Sequence, residues 1–143
     1  MALIGGGGAG NVAGGSNPSG TGTSLNYIGN HAYAYSGMFP PATSTYTMLS
    51  FTTGSSYLLS KITVTGATDA VNPGNGGTST FVISLDGQEV MRLKTDTDQE
   101  DMPAHATVPF LIPPYSTIEL TGIDTVTTAE RKTSASIVGR VYA

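Results

Sequence analysis

The densest chemistry in the chain is the run Asp96-Thr97-Asp98-Gln99-Glu100-Asp101, with four carboxylates in six residues. Calcium takes about six to eight oxygen ligands, so Asp96, Asp98, Glu100 and Asp101 are the candidate metal ligands. The run departs from an EF-hand loop, because Asp101 stands where that loop needs glycine. The competing reading is a solvated, charged loop between two strands. His31 and His105 are the only histidines and there is no cysteine. Two distant histidines fit no standard zinc spacing, and thiol chemistry and disulfides are excluded. For nucleophilic catalysis the sequence offers no Gly-x-Ser-x-Gly elbow. Glu89, Glu119 and Glu130 could serve glycoside hydrolysis, but no spacing sets two of them across a cleft. The expectation is a protein that is not an enzyme and carries no cofactor.

Gly5–Gly8 and Gly10 imitate a phosphate loop. A P-loop needs Gly-Lys-Ser/Thr, and a Rossmann turn needs a strand before it and a helix after it. No lysine precedes Lys61, Leu3-Ile4 is too short for a buried strand, and Asn11–Ser24 has no helical pattern. Nucleotide binding is rejected. Nucleic-acid binding by phosphate neutralisation is disfavoured by a net charge of −4. The six basic residues are scattered, and only Arg131 and Lys132 are adjacent. No run approaches the ~18 apolar residues of a membrane-spanning helix, and the N-terminus lacks a signal-peptide pattern. No membrane role is expected.

The elements that must position these groups read as strands. Gly and Pro total 27, charged residues are 11% of the chain, and there is no tryptophan. His31–Ser36 alternates, with His31, Tyr33 and Tyr35 on one face and small residues on the other. The tyrosine stripe reads as core or interface. Phe39-Pro40-Pro41 ends that strand. Thr45–Phe51 follows, with Thr47, Leu49 and Phe51 on one face and Tyr46 and Met48 on the other. Tyr57–Thr65 turns Leu58, Ile62 and Val64 inward. Gly66–Gly77 is a loop by composition. Thr78–Leu85 and Gln88–Thr95 form a hairpin. Its apolar pattern favours a three-residue loop, Leu85-Asp86-Gly87, that sets Phe81 opposite Met91 and groups both with Ile83 and Leu93. Ala106–Ile112 aligns Val108, Phe110 and Ile112, and Pro109 sends this strand to an edge or a bulge. Thr117–Ile123 and Thr133–Tyr142 complete the set. About eight strands and no helix predict an all-β, antiparallel β-sandwich, an eight-stranded jelly roll.

Ahead of these strands lies a glycine-rich arm, Met1–Ser24, in which nine residues are glycine. Residues 1–24 are read as the arm and 25–143 as the domain. Ordering glycine is entropically costly, and Leu3, Ile4 and Val12 offer little burial to offset it. An external surface, such as a neighbouring subunit, is therefore expected to hold the arm. All sixteen charged residues lie between Lys61 and the C-terminus. Interface cores are depleted of charge and enriched in Tyr and Met. Leu3, Ile4, Val12, Tyr27, Tyr33, Tyr35, Met38 and Phe39 are accordingly the candidate interface residues.

An uncharged glycine-rich arm ahead of a compact β domain resembles small virion structural proteins of bacteriophages, of the jelly-roll capsid decoration and minor capsid type. The domain's share of that likeness is the eight-strand pattern with Leu85-Asp86-Gly87-Gln88-Glu89-Val90 and Phe110-Leu111-Ile112-Pro113-Pro114-Tyr115-Ser116. The resemblance is one of architecture. It implies a homo-oligomer, a trimer, bound to the major capsid protein or other virion proteins. It also implies location in the virion after assembly in the host cytoplasm. The alternative is a carbohydrate- or receptor-binding β-sandwich that uses the Gly66–Gly77 loop, the acidic loop and the tyrosines as a rim.

Overall fold

A computed structural model describes residues 25–66, 77–97, 104–125 and 132–142. These form nine strands: β1 (Asn26–Ile28), β2 (His31–Tyr35), β3 (Tyr46–Thr52), β4 (Tyr57–Thr65), β5 (Gly77–Leu85), β6 (Gln88–Thr97), β7 (His105–Ile112), β8 (Thr117–Asp124) and β9 (Ser134–Tyr142). One sheet has the order β1-β2-β9-β4-β7 and the other β3-β8-β5-β6. Every pairing is antiparallel.

Strands β2 to β9 pair in a nested series. β5 pairs with β6, β4 with β7, β3 with β8 and β2 with β9. The chain is one long antiparallel ribbon whose β5–β6 end is folded over, with β4·β9 and β5·β8 contacts joining its layers. This is the eight-stranded jelly roll, extended by β1 at the sheet edge.

Alternation supplies the core. β4 buries Leu58, Ile62 and Val64, β8 buries Ile118 and Leu120, and β9 buries Ala135, Ile137 and Val141. Phe81 and Ile83 of β5 join them from the second sheet in one continuous cluster. Burial of a single such side chain contributes about 1.5–3 kcal/mol. Pro109 lies on β7, an edge strand, where its missing N–H costs no ladder bond.

Local departures from the expected pattern have physical causes. On β2 the core face is the alanine face: Ala32 and Ala34 are fully buried, and His31 and Tyr35 are exposed on the outer side. The tyrosine stripe is therefore not core. On β3 the register shifts between Thr47 and Leu49, and Met48 and Leu49 are both fully buried. The extra residue of this bulge moves the inward set from Tyr46 and Met48 to Leu49 and Phe51.

The hairpin turn is the two-residue Asp86-Gly87, not the three-residue loop. Both residues have positive φ, 49° and 81°, as a type I′ turn requires. A register shift between Ile83 and Ser84 then leaves Val90 unpaired. Phe81 consequently faces Leu93 and Ile83 faces Met91. The inward grouping of these four holds, but a bulge achieves it rather than the turn.

Candidate functional site

The outer faces of the two sheets differ in kind. The five-stranded sheet presents its outward side chains in cross-strand rows. One row is His31, Arg140, Leu59 and Leu111, and the next is Tyr33, Val138, Lys61 and Pro109. A third is Tyr35, Ser136, Thr63 and Thr107, and Tyr57 pairs with Tyr142 at the opposite end. Tyr35, Tyr57, Leu59, Leu111, Val138 and Tyr142 are each 45–55% exposed, so their apolar surface is available to a partner. The Tyr33 and Tyr35 rings lie 5.5 Å apart. The Arg140 guanidinium sits 5.7 Å from the Tyr142 ring centroid, a cation–π contact that fixes both groups.

Leu59, Ser60, Lys61, Pro109, Val138 and Gly139 line a shallow groove of about 330 Å³ across β9, β4 and β7. Glycine is required at its floor. A Cβ on Gly139 would stand 2.5 Å from the Leu59 carbonyl oxygen and 2.7 Å from the Ser60 Cα. The walls are aliphatic, and Lys61 supplies the charge.

Among the described residues, every carboxylate belongs to the other sheet or its hairpin: Asp86, Glu89, Asp96, Glu119 and Asp124. The outer face of the four-stranded sheet also carries Arg92 and Lys94 on β6 and is otherwise rich in Thr and Ser. Glu89 and Glu119 share one row there, on either side of Ser84. Two strand spacings separate them by about 9.5 Å along an open surface. Arg92 binds Glu89 through two hydrogen bonds of 2.8 Å, and this contact holds the Glu89 carboxyl below its ordinary range. Glu89, held as a carboxylate by Arg92, is not the raised acid that glycoside hydrolysis needs.

Among the described residues, Asp124 is the one buried charge, 3% exposed at the end of β8. It accepts hydrogen bonds from the Tyr46 hydroxyl at 2.7 Å, the Ala42 N–H at 3.1 Å and the Ser79 hydroxyl. Since Tyr46 donates its only proton to Asp124, Thr133 donates to Tyr46, at 2.8 Å. Burial first, and then the neighbouring Asp124, holds the Tyr46 phenol well above the usual tyrosine range. Gly122 admits the Tyr46 ring, whose Cζ would lie 2.7 Å from any Cβ there. This network ties β3, β5, β8 and the start of β9 together. Sequence reasoning did not single out Asp124, because an acid at the end of a polar-facing strand looks solvent-exposed.

The candidate residues fall into several environments. Tyr27 and Phe39 are half-buried against the protein's own core, and Phe39 stacks on Tyr46 at 5.7 Å. Tyr33 is half-buried on the outer face, whereas Tyr35 and Met38 are exposed. Leu3, Ile4 and Val12 lie outside the described residues. So do Asp98, Glu100 and Asp101, while Asp96 is exposed near the end of β6. Among the described residues, no three His, Cys, Asp or Glu side chains come together to hold a metal ion. His31 and His105 are exposed on β2 and β7, with β9 and β4 between those strands. Leu59, Leu111, Val138 and Tyr142, which the candidate set omitted, carry much of the apolar face. Their alternation with buried neighbours was the available signal.

No protein-family model and no curated protein sequence matches the chain. Among solved structures, latent dimeric PorU of Porphyromonas gingivalis is similar over 76% of this chain and 11% of its own, at 15% identity and a TM-score of 0.42. VP2 in the subviral particle of infectious bursal disease virus is similar over 83% of this chain and 35% of its own, at 13% identity and a TM-score of 0.43. A family 35 carbohydrate-binding module of Clostridium thermocellum is similar over 89% of this chain and 85% of its own, at 11% identity and a TM-score of 0.33. The chain thus spans about a tenth of the first structure and about a third of the second.

Proposed function

We propose that this chain is a structural virion protein, a capsid decoration or minor capsid subunit. In this reading it forms a homo-oligomer, a trimer, and binds the shell in part through residues 1–24. The observation that carries the reading is the outer face of the five-stranded sheet. Its tyrosines, leucines and valine form an exposed band across four strands, and such bands mark surfaces that partners cover. Tyr and Arg are the residue types that dominate well-packed protein interfaces. In this reading the arm adds a second contact, held by the shell or a neighbouring subunit.

Sedimentation equilibrium of the full chain tests the oligomer. The expected mass is about three times the 14.6 kDa of one chain. Deletion of Met1–Ser24 is expected to weaken shell binding in co-sedimentation. Unchanged oligomerisation together with unchanged shell binding would remove the arm from the mechanism. A carbohydrate- or receptor-binding module is the second reading, favoured by four tyrosines displayed on one sheet face. Specific sugar binding by a monomer on a glycan array, with and without calcium, would decide for it.

A further inference from the structure

The glycine-rich arm joins the described chain in line with the groove. Leu25 is buried, and Asn26 follows it on β1, at the edge of the five-stranded sheet. Asn26 pairs with Tyr33, Tyr33 with Val138, Val138 with Lys61 and Lys61 with Pro109. The arm therefore enters the sheet in the row that crosses the groove. Strands lie about 4.8 Å apart, so Val138 is about 10 Å and Pro109 about 19 Å from Asn26. A glycine-rich chain of about 21 residues, the length from Gly5 to Leu25, has a root-mean-square span of about 25 Å. Contact within one chain is most favoured where linker length and span are comparable.

What the arm brings also suits the groove. Leu3 and Ile4 are adjacent large apolar residues, and the arm has no charged side chain. The groove, about 330 Å³ with aliphatic walls, is about twice the size of an apolar cavity that admits benzene. Lys61 and Arg140 are exposed on this face. A broad partner must bring these cations counter-charges, because an unpaired buried charge is strongly destabilising. A single uncharged segment leaves both in water, and its backbone carbonyls are acceptors for the Lys61 ammonium. The opposite outer face, with Arg92, Lys94, Glu89, Glu119 and its hydroxyls, gives an apolar pair nothing to bury against. We propose that Leu3 and Ile4 seat in the β9–β4–β7 groove of their own chain. The seated arm covers apolar surface that a partner would otherwise use, so arm and partner compete for one face. This goes beyond the virion reading and concerns the chain by itself.

Paramagnetic relaxation tests it on the full chain, which has no cysteine of its own. A nitroxide is attached at Ala2→Cys, and amide signals are read from isotope-labelled protein. Leu59, Lys61 and Val138 are expected to lose their signals, and Arg92 and Lys94 on the opposite face to keep theirs. Adding L3D/I4D is expected to restore the lost signals, and far-ultraviolet circular dichroism reports that the sandwich is intact. When nitroxide-bearing chains without isotope are refolded from urea together with labelled chains without nitroxide, no loss is expected. Loss at the groove in that mixture would place the tip on a neighbouring copy and overturn the assignment to its own chain. Equal broadening on both faces, or loss that survives L3D/I4D, would overturn the groove as the seat. Sedimentation of the same samples keeps this inference apart from the homo-oligomer reading. A 14.6 kDa monomer that shows the intramolecular loss would remove the oligomer and support the seated arm.

Discussion

Asp124 shows how one residue can hold an end of the sandwich. Its carboxylate is dry, and three donors from separate segments converge on it. Asp124→Ala strands all three and is expected to cost about 3 kcal/mol in urea unfolding. Tyr46→Phe removes one donor and frees Thr133, at an expected cost of about 1–2 kcal/mol. Tyr27 makes the fold sensitive to alkali. Burial pushes its phenol up to about 12, from an ordinary value of 10.0. The folded state therefore keeps the proton after the unfolded chain has lost it. This contribution to stability is whole below about pH 10 and is lost as pH rises through about 12. Urea midpoints measured from pH 8 to 11.5 are expected to fall less steeply above pH 10 in Tyr27→Phe than in the wild type.

At the scale of strands, period-two alternation was readable wherever it ran unbroken. Ile62 and Val64, Ile118 and Leu120, and Ala135 and Ile137 all point inward as their spacing requires. What escaped was whatever interrupts or shortens the period. β1 has three residues, Asn26–Ile28, and buries none of them fully, so it carries no pattern. The bulges at Met48 and Val90 insert one residue each, and a single insertion inverts every face beyond it. Ala32 and Ala34 are core because β2 packs closely, a property of the opposing sheet and not of two small side chains. The candidate site suffered in the same way, since its aliphatic members sit at outward positions of strands read for their cores. Gly139 gives the site an element-level test. Gly139→Ala drives a methyl group into the β4 backbone, and thermal unfolding is expected to show a loss of more than about 3 kcal/mol. Gly87→Ala, in contrast, meets no neighbour and strains only its positive φ, for about 1 kcal/mol.

For the molecule as a whole, both halves of the chain contribute to the core and to the exposed apolar face. The uncharged residues up to Ser60 supply Ala32, Ala34, Met48, Leu49, Phe51 and Leu58 to the core. Their lack of charge is thus explained first by the protein's own interior. The apolar face draws on both halves of the sequence, from Tyr33 to Tyr142, and exists only once the ribbon has folded over. Nesting also sets an order of assembly in time. The β5–β6 hairpin closes over two residues, Asp86 and Gly87, whereas β2 and β9 close over nearly the whole domain. Chain entropy makes the short closure early and the long one late. Substitutions such as Phe81→Leu are expected to slow refolding in stopped-flow measurements, with φ-values above about 0.5. Ala34→Gly on β2 is expected to leave refolding nearly unchanged and to speed unfolding. The outer ribbon would then be the last part to close and the first to open, so the lifetime of the folded chain is governed by β2 and β9, the strands that carry Tyr33, Val138 and Arg140.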